Sequence, residues 1–106
     1  MSATPRIAID QTLLADFCHR WGIERLELFG SVLRDDFTDA SDVDVLVTWK
    51  PEMRYGYYEE TEAQDELSGI LGRRVDLVDR VDVERSANYL RRREILTSAV
   101  PLHVAS

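Results

Sequence analysis

The chain has 106 residues, 44% hydrophobic and 31% charged, as expected of one globular domain. Its formal net charge of −7 argues against long nucleic acids as partners, because proteins hold these mainly through Lys and Arg. No apolar run could span a bilayer, residues 1–10 lack the layout of a signal peptide, and Cys18 is the only cysteine. We therefore expect a cytoplasmic protein with no membrane contact and no internal disulfide.

The first predicted element is a helix that Asp10 or Thr12 can cap and that Gly22 ends. Apolar residues at helical spacing would form its buried face: Leu13, Leu14, Phe17, Cys18 and Trp21. Cys18 is accordingly expected in the core. His19, on the polar side, has no metal-ligating companion and is expected at the surface.

Two strands are predicted next, separated by a polar segment. Residues 23–29 form the first strand, with Leu26 and Leu28 inward and Glu27 outward. In the second strand three valines alternate with the residues between them: Val43, Val45 and Val47.

Between these strands the chain reads Gly-Ser, ten residues, and then Asp-x-Asp. Gly30 lets the backbone approach a bulky anion, and Ser31 adds a hydroxyl donor. A short helix expected from here to about Asp36 would aim free amide groups at the same anion. Asp42 and Asp44 point to one side, because strand side chains alternate. This pattern predicts metal-assisted chemistry on a nucleoside triphosphate.

A loop over residues 51–56 leads to a longer helix, predicted from about Tyr57 to Leu71 and ended by Gly72. Its buried face would contain Ala63, Leu67, Ile70 and Leu71. Three aromatic residues near its start either stack on a nucleobase or pack within the fold, the commoner role: Tyr55, Tyr57 and Tyr58.

A third strand and a last helix complete the predicted elements. The strand spans residues 74–79 and carries Asp76 on the face opposite its inward residues. The helix runs from a cap at Asp82 to about Val100, where Pro101 ends it. The order αβαβαβα predicts an α/β (α+β) fold, in which helices pack on a small mixed sheet of about three strands.

If the third strand lies beside the second, Asp42, Asp44 and Asp76 converge. Two carboxylates about 4 Å apart repel by roughly 4 kcal/mol at an effective dielectric constant near 20, so a cation, an arginine or a proton must offset them. Hard oxygen ligands select Mg²⁺ or Mn²⁺, and two such ions can activate a hydroxyl and neutralise a leaving pyrophosphate. Taken alone, Asp-x-Asp is commonly a turn, and Asp76 could simply pair with Arg73 or Arg74. The combined spacing favours a functional site.

With these motifs the chain closely resembles the DNA polymerase β-like nucleotidyltransferase superfamily. It is most similar to the minimal nucleotidyltransferases, the MNT group of antitoxins found beside HEPN-domain toxins. The resemblance covers nearly the whole chain and includes Gly30-Ser31, Arg34 and residues 41–44, 71–78, 92–96 and 99–102. One departure is Asp35, followed by Asp36, where the group often has a glycine after the arginine. The added negative charge bears on nucleotide affinity rather than on the fold.

The resemblance implies that residues 1–106 form a single minimal nucleotidyltransferase domain. Asp42 and Asp44 would hold both metal ions, and Asp76 would ligate the catalytic ion and help deprotonate the acceptor hydroxyl. Gly30 and Ser31 would bind the β- and γ-phosphates. Arg34 belongs to the same motif and is taken as a further nucleotide-binding residue.

The implied activity is that of a nucleotidyltransferase (protein adenylyltransferase) that moves AMP from ATP to a hydroxyl of a partner protein. In the antitoxin group the acceptor is a tyrosine of the HEPN toxin. Such a toxin would be a separate chain, because this one has no Arg-x4-His or Arg-x6-His element.

Two other functions stay open at this point. One is an antitoxin that neutralises its partner by binding alone, and the other is a small-molecule nucleotidyltransferase of the antibiotic-modifying type. Two sets of late residues have no decided role either. The arginines at 91–93 either contact phosphate or a partner, or form a solvated helix face, and His103 is expected in a tail.

Overall fold

The computed structural model describes residues 9–35, 37–38 and 40–105. Asp36, the predicted end of the short helix, lies outside them. The elements in chain order are α1 (Gln11–Trp21), β1 (Ile23–Phe29), a 3₁₀ helix (Gly30–Leu33), β2 (Val43–Trp49), α2 (Tyr57–Leu71), β3 (Val75–Asp79), α3 (Arg80–Glu84), α4 (Tyr89–Ser98) and β4 (Val100–Val104). Within the described ranges, no helix has both the length and the apolar character needed to cross a membrane.

The first helix begins and ends where the sequence predicts. The Asp10 carboxylate accepts hydrogen bonds from the amides of Thr12 and Leu13 at 3.0 and 3.1 Å, and so caps α1. Gly22 ends the helix with φ of 67°, a left-handed conformation that favours glycine. One predicted core position is wrong. The Leu13 side chain is 52% exposed because it lies on the side of α1 turned away from the sheet.

The four strands form one mixed sheet in the order β3-β2-β1-β4. The central strand β1 is antiparallel to both β2 and β4, whereas β2 and β3 are parallel. The predicted fold class is confirmed, and so is the expectation that β3 lies beside β2. The sheet has one strand, β4, that the sequence analysis did not anticipate.

Two apolar clusters lie on opposite faces of this sheet. The larger one packs under α1 and α2 and joins the inward leucines of β1 and the valines of β2 to helix residues such as Leu14, Phe17 and Leu67. The smaller one packs under α3 and α4 and consists of Phe29, Leu46, Val83 and Ile95. The sheet is therefore covered on both faces.

The second covering layer overturns the prediction for Glu27. This side chain points away from the larger core, as expected, but it is only 4% exposed because α3 lies over it. Arg80 of α3 donates a hydrogen bond to its carboxylate, and the Arg25 Nε lies 3.8 Å from the same oxygen. Burial of this charge is tolerated because it is paired.

The C-terminal part of the chain also differs from the prediction of one long helix. Two helices replace it, capped by the Asp79 and Asn88 side chains, which accept hydrogen bonds from backbone amides of the following turn. Pro101, predicted to end the last helix, lies inside β4, opposite Glu27. Proline fits there because an edge strand leaves some of its amide groups without a ladder partner. His103, expected in a tail, lies in the same strand opposite Leu26.

Candidate active site

The Gly30-Ser31 turn lies where β1 ends, directly beside Asp44. Gly30 has φ of 77°, and a Cβ atom built on it would overlap the Asp44 carboxylate, so both the backbone and this neighbour require glycine. The expected short helix is a single 3₁₀ turn of four residues that stops at Leu33, where the Arg34 amide donates to the Ser31 carbonyl at 2.9 Å. The buried Val32 side chain anchors this turn to the core.

The parallel strands β2 and β3 place two of the predicted carboxylates side by side. Asp44 and Asp76 are direct partners in the register, just as Val43 and Val75 are on the face of the larger core. Asp42 lies one residue before β2, with its side chain 47% exposed, and the Arg74 Nε is 3.9 Å from its Oδ1. The sequence predicted that these carboxylates converge if β3 lies beside β2. The structure brings Asp44 and Asp76 together in this way.

The charges around the Asp44 carboxylate are negative on balance. Burial raises the pKa of the Asp44 carboxyl above its ordinary value, and the charges of Asp76 and then Asp42 raise this pKa further. The positive charges of Arg34 and Arg91 lower it, without reversing the direction. Asp44 therefore lies where an additional cation would be electrostatically favourable.

A hard divalent cation fits this donor set, because the available atoms are carboxylate oxygens and their mutual repulsion is only partly offset. Within the described part of the chain, no three His, Cys, Asp or Glu side chains are grouped so as to hold an ion by themselves. Water and substrate oxygens would complete the shell, which is usual for Mg²⁺.

Arg91 is a candidate site residue, because its charge acts on Asp44, and the sequence did not single it out from the arginines at 91–93. It lies in the first turn of α4, four residues before the buried Ile95, so the two share a helix face toward the sheet. The four-residue spacing between Arg91 and the apolar Ile95 could have distinguished Arg91 from its neighbours in the sequence. Its neighbour Arg92 donates to the Ser86 carbonyl at 3.2 Å and lies 5.6 Å above the Tyr89 ring, which is a packing role.

Two grooves contain residues of the predicted site in their walls. One, of about 310 Å³, lies between the 3₁₀ helix and α4 and is lined by Phe29, Gly30, Leu33, Arg34, Glu94, Ile95 and Ser98. The other, of about 330 Å³, lies between α2 and β3 and is lined by Tyr57, Glu60, Thr61, Gln64, Asp76 and Leu77. The first groove therefore includes the predicted site residues Gly30 and Arg34, and the second includes Asp76.

The three tyrosines near the start of α2 divide into two kinds. Tyr55 packs edge-on against Trp21 and Trp49, with ring centroids 5.5 and 4.8 Å apart, and its hydroxyl donates to the Trp21 carbonyl. It is thus a packing residue. Tyr57 and Tyr58 are 86% and 72% exposed and stay available for contacts.

The cysteine and the first histidine match the ordinary structural roles expected of them. Cys18 is buried in the larger core, and burial raises the pKa of its thiol to about 12, so the thiol stays protonated at neutral pH. His19 is exposed on α1.

The comparisons with known proteins agree with this geometry. A family model described as "Nucleotidyltransferase domain" matches residues 11–103. A solved structure assigned as a minimal nucleotidyltransferase is 33% identical, with 87% of each chain covered and a TM-score of 0.64. The search of curated proteins found no match.

Two further solved structures are toxin–antitoxin complexes. A chain of a toxin–antitoxin complex with AMP-PNP is 19% identical over 92% of this chain and 76% of its own, with a TM-score of 0.67, and shows the fold alone. A chain of the complex between tri-AMPylated Shewanella oneidensis HEPN toxin and MNT antitoxin is 25% identical over 90% of this chain and 66% of its own, with a TM-score of 0.55.

Proposed function

The chain belongs to the nucleotidyltransferase domain family, and we propose that it transfers AMP from ATP to a hydroxyl, most simply a tyrosine, of a partner protein. The partner would be a HEPN-type toxin on a separate chain, which makes this protein an antitoxin. The observation that carries the proposal is the Asp44–Asp76 pair, in register on parallel strands and beside the Gly30 turn. Residues 1–106 would form one catalytic domain. The cytoplasmic location of the protein stays a prediction.

The similar structures support the class of substrate and partner. One of them is a toxin–antitoxin complex with AMP-PNP, an ATP analogue, and another contains a HEPN toxin that carries AMP groups. Both fit a reaction in which an MNT-type chain consumes ATP and modifies its toxin. For the present chain, the specific acceptor is part of the proposal.

We assign the residues the following roles. Asp42 and Asp44 would hold two Mg²⁺ or Mn²⁺ ions, with Asp76 sharing the catalytic ion. These ions would supply charge neutralisation and alignment of the hydroxyl with the α-phosphate. Gly30 and Ser31 would bind the β- and γ-phosphates through backbone amides and the serine hydroxyl.

Arg34 and Arg91, whose charges reach Asp44, would bind further oxygens of the triphosphate. Asp35 follows Arg34 directly and is exposed, so part of the positive charge near the phosphates is offset. We therefore expect ATP binding to be weaker here than in a chain with glycine at this position, and the variant Asp35→Gly to bind ATP more tightly.

The proposed reaction is one substitution at phosphorus. The acceptor oxygen forms a bond to the α-phosphorus of ATP, and the bond from that phosphorus to the bridging oxygen of the β-phosphate breaks. Pyrophosphate leaves, and the hydroxyl proton passes to the Asp76 carboxylate. Asp76 suits this role because it is exposed and adjacent to Asp44 rather than buried in the core.

Intact-mass spectrometry of a HEPN-type partner tests the proposal. Incubation with Mg²⁺, ATP and a substoichiometric amount of this chain should add whole AMP units to the partner, because a catalyst turns over. The variants Asp42→Asn and Asp76→Asn should lose the addition even where they still bind the partner. An unmodified partner that is silenced only at equimolar ratio, and equally by both variants, would establish an antitoxin that acts by binding alone.

A further inference from the structure

Asp42 lies outside the sheet, at the end of the segment that joins the 3₁₀ helix to β2 (residues 34–42, the connecting segment). The strand register holds Asp44 beside Asp76, whereas Asp42 precedes β2 by one residue. The proposed function requires Asp42 to bind metal ions together with Asp44. The groups that fix the connecting segment therefore also fix this part of the metal site.

A hydrogen-bonded turn in the connecting segment directly precedes Asp42. The Ser41 amide donates to the Thr38 carbonyl at 3.0 Å, and the Thr38 amide donates to the Ser41 Oγ at 3.0 Å. The Ala40 amide donates to the Thr38 Oγ1 at 3.3 Å. Because these bonds join Thr38 to the residue before Asp42, the position of Thr38 governs where Asp42 lies.

The Arg73 side chain holds this turn through two contacts. Its Nη1 donates to the Thr38 carbonyl at 3.2 Å, and its guanidinium carbon lies 4.7 Å from the centroid of the Phe37 ring. The second distance is that of a cation–π interaction. Arg73 therefore fixes two adjacent residues of the connecting segment, one through a charge-assisted hydrogen bond and one through its ring.

The backbone that carries the Arg73 side chain is bonded to both α2 and the sheet. The Arg73 amide donates to the Ser68 carbonyl at 3.2 Å, just after Gly72 ends α2. The carbonyl of the following residue, Arg74, accepts a hydrogen bond from the Val43 amide at 2.9 Å. Arg73 therefore connects the turn to the end of α2 and to the first pairing of β2 with β3.

The neighbouring Arg74 has a different relation to Asp42. Its Nε lies 3.9 Å from the Asp42 Oδ1, and its side chain is 82% exposed. This cation would compete with a metal ion for the same carboxylate. The contacts of Arg73 with Thr38 and Phe37, by contrast, do not occupy the Asp42 carboxylate.

We propose that Arg73 is a positioning residue of the metal site, an inference that rests on the proposed function. Arg73 holds the turn over residues 38–41 and thereby places the Asp42 carboxylate where a divalent ion can share it with Asp44. Ligands that the fold already holds in place bind an ion more tightly, because less freedom is lost on binding. Arg74 lies beside Asp42 but has no such role.

Mn²⁺ titrated into the full chain, with free Mn²⁺ measured by its EPR signal, separates position from charge. Loss of either arginine removes one positive charge near Asp42, which by itself favours a bound cation. Arg73→Ala should nevertheless weaken Mn²⁺ binding about ten-fold, because the turn loses a charge-assisted hydrogen bond. Arg74→Ala should leave the affinity unchanged or raise it. Equal weakening in both variants, or an affinity in Arg73→Ala that is not lowered, would overturn the proposal.

Hydrogen exchange of the Ser41 amide in the absence of metal gives a second readout. The partner of this amide is the Thr38 carbonyl, which Arg73 holds. Exchange should be faster than wild type in Arg73→Ala and unchanged in Arg74→Ala. Arg73→Lys should restore part of the protection and of the Mn²⁺ affinity, because its ammonium group can donate to the same carbonyl. If Arg73→Ala does not fold, Phe37→Leu carries the test: it keeps an apolar side chain, removes the ring, and should weaken Mn²⁺ binding several-fold.

The outcomes also separate this role from the proposed reaction. A lowered Tm of Arg73→Ala with wild-type Mn²⁺ affinity would make Arg73 a structural residue, although AMP transfer would stand. With a partner that accepts AMP, this variant should raise the Mg²⁺ concentration needed for half-maximal transfer and leave the KM for the partner at its wild-type value. Mn²⁺ binding to the wild type without transfer to any partner would count against the proposed reaction alone. A wild type that binds no Mn²⁺ would overturn both.

Discussion

Glu66 on α2 and Asp44 on β2 are both partly exposed carboxylates, but their surroundings have opposite effects. Glu66 accepts hydrogen bonds from the Arg20 guanidinium and, at 3.1 Å, from the Trp21 indole. The Arg20 hydrogen bond is the main cause of a lowered pKa of Glu66, opposed by burial and assisted by Trp21. This carboxylate ties α1 to α2.

Asp44 has the opposite balance. Burial and the neighbouring Asp76 raise its pKa, and the charges of Arg34 and Arg91 offset only part of the effect. Deprotonation of Glu66 is favoured by folding, whereas deprotonation of Asp44 is opposed by it. Glu66 is therefore a carboxylate that stabilises the fold, whereas Asp44 is held at a free-energy cost that a bound cation can relieve.

The largest expected effect is the response to Mg²⁺ and ATP. Saturation at about 100 times the Kd should stabilise the wild-type chain by about 2.7 kcal/mol, measured as a rise in Tm. Asp44→Asn should abolish this increment and leave the unliganded protein folded. Glu66→Gln, the matched control, should retain the increment from a lower starting Tm. If Asp44→Asn unfolds the protein and the wild type shows no increment, Asp44 is a structural residue.

The second largest expected effect is a loss of ATP affinity when Ser31, the residue after Gly30, is changed. Ser31→Ala removes a hydroxyl donor to a charged oxygen, which is worth roughly 1.5–3 kcal/mol if that bond is made. ATP affinity measured by calorimetry should therefore fall about ten- to a hundred-fold, while the Tm changes little. Thr97→Ala, on an exposed turn of α4, should leave the affinity unchanged. Wild-type affinity in Ser31→Ala would mean that Ser31 only shapes the 3₁₀ turn.

The smallest effect is the dependence of stability on pH. Because the folded pKa of Glu66 is lowered, its contribution is present above the unfolded value near 4.3 and is lost as pH falls through the folded value. Because the folded pKa of Asp44 is raised, its ionisation destabilises the fold as pH rises through that value. Urea unfolding at neutral pH should find Asp44→Asn more stable and Glu66→Gln less stable than wild type, by up to about 1 kcal/mol each. The same sign for both variants would contradict the comparison.

Local patterns predicted much of the fold, because the interactions that form those elements are close in sequence. The bounds of β1 and α2 follow from side-chain periodicity, and Gly22 and Gly72 end their helices in the left-handed conformation. Predictions failed where a distant element intervenes. Glu27 is buried by α3, which begins more than fifty residues later, and Pro101 continues as a strand because β1 offers it a pairing edge.

The candidate site divides in the same way. Local sequence was enough to place Gly30 and Ser31 after a strand, and Asp42, Asp44 and Asp76 at strand starts, because alternation and turn preferences act over a few residues. The tertiary structure was needed to show that Asp76 is the register partner of Asp44, that the Arg91 charge acts on the same carboxylate, and that α2 side chains bond the edge of β3. These contacts join segments tens of residues apart, and they depend on strand order and on which helix face meets the sheet. No local sequence pattern encodes the order of the strands or the helix face that meets the sheet.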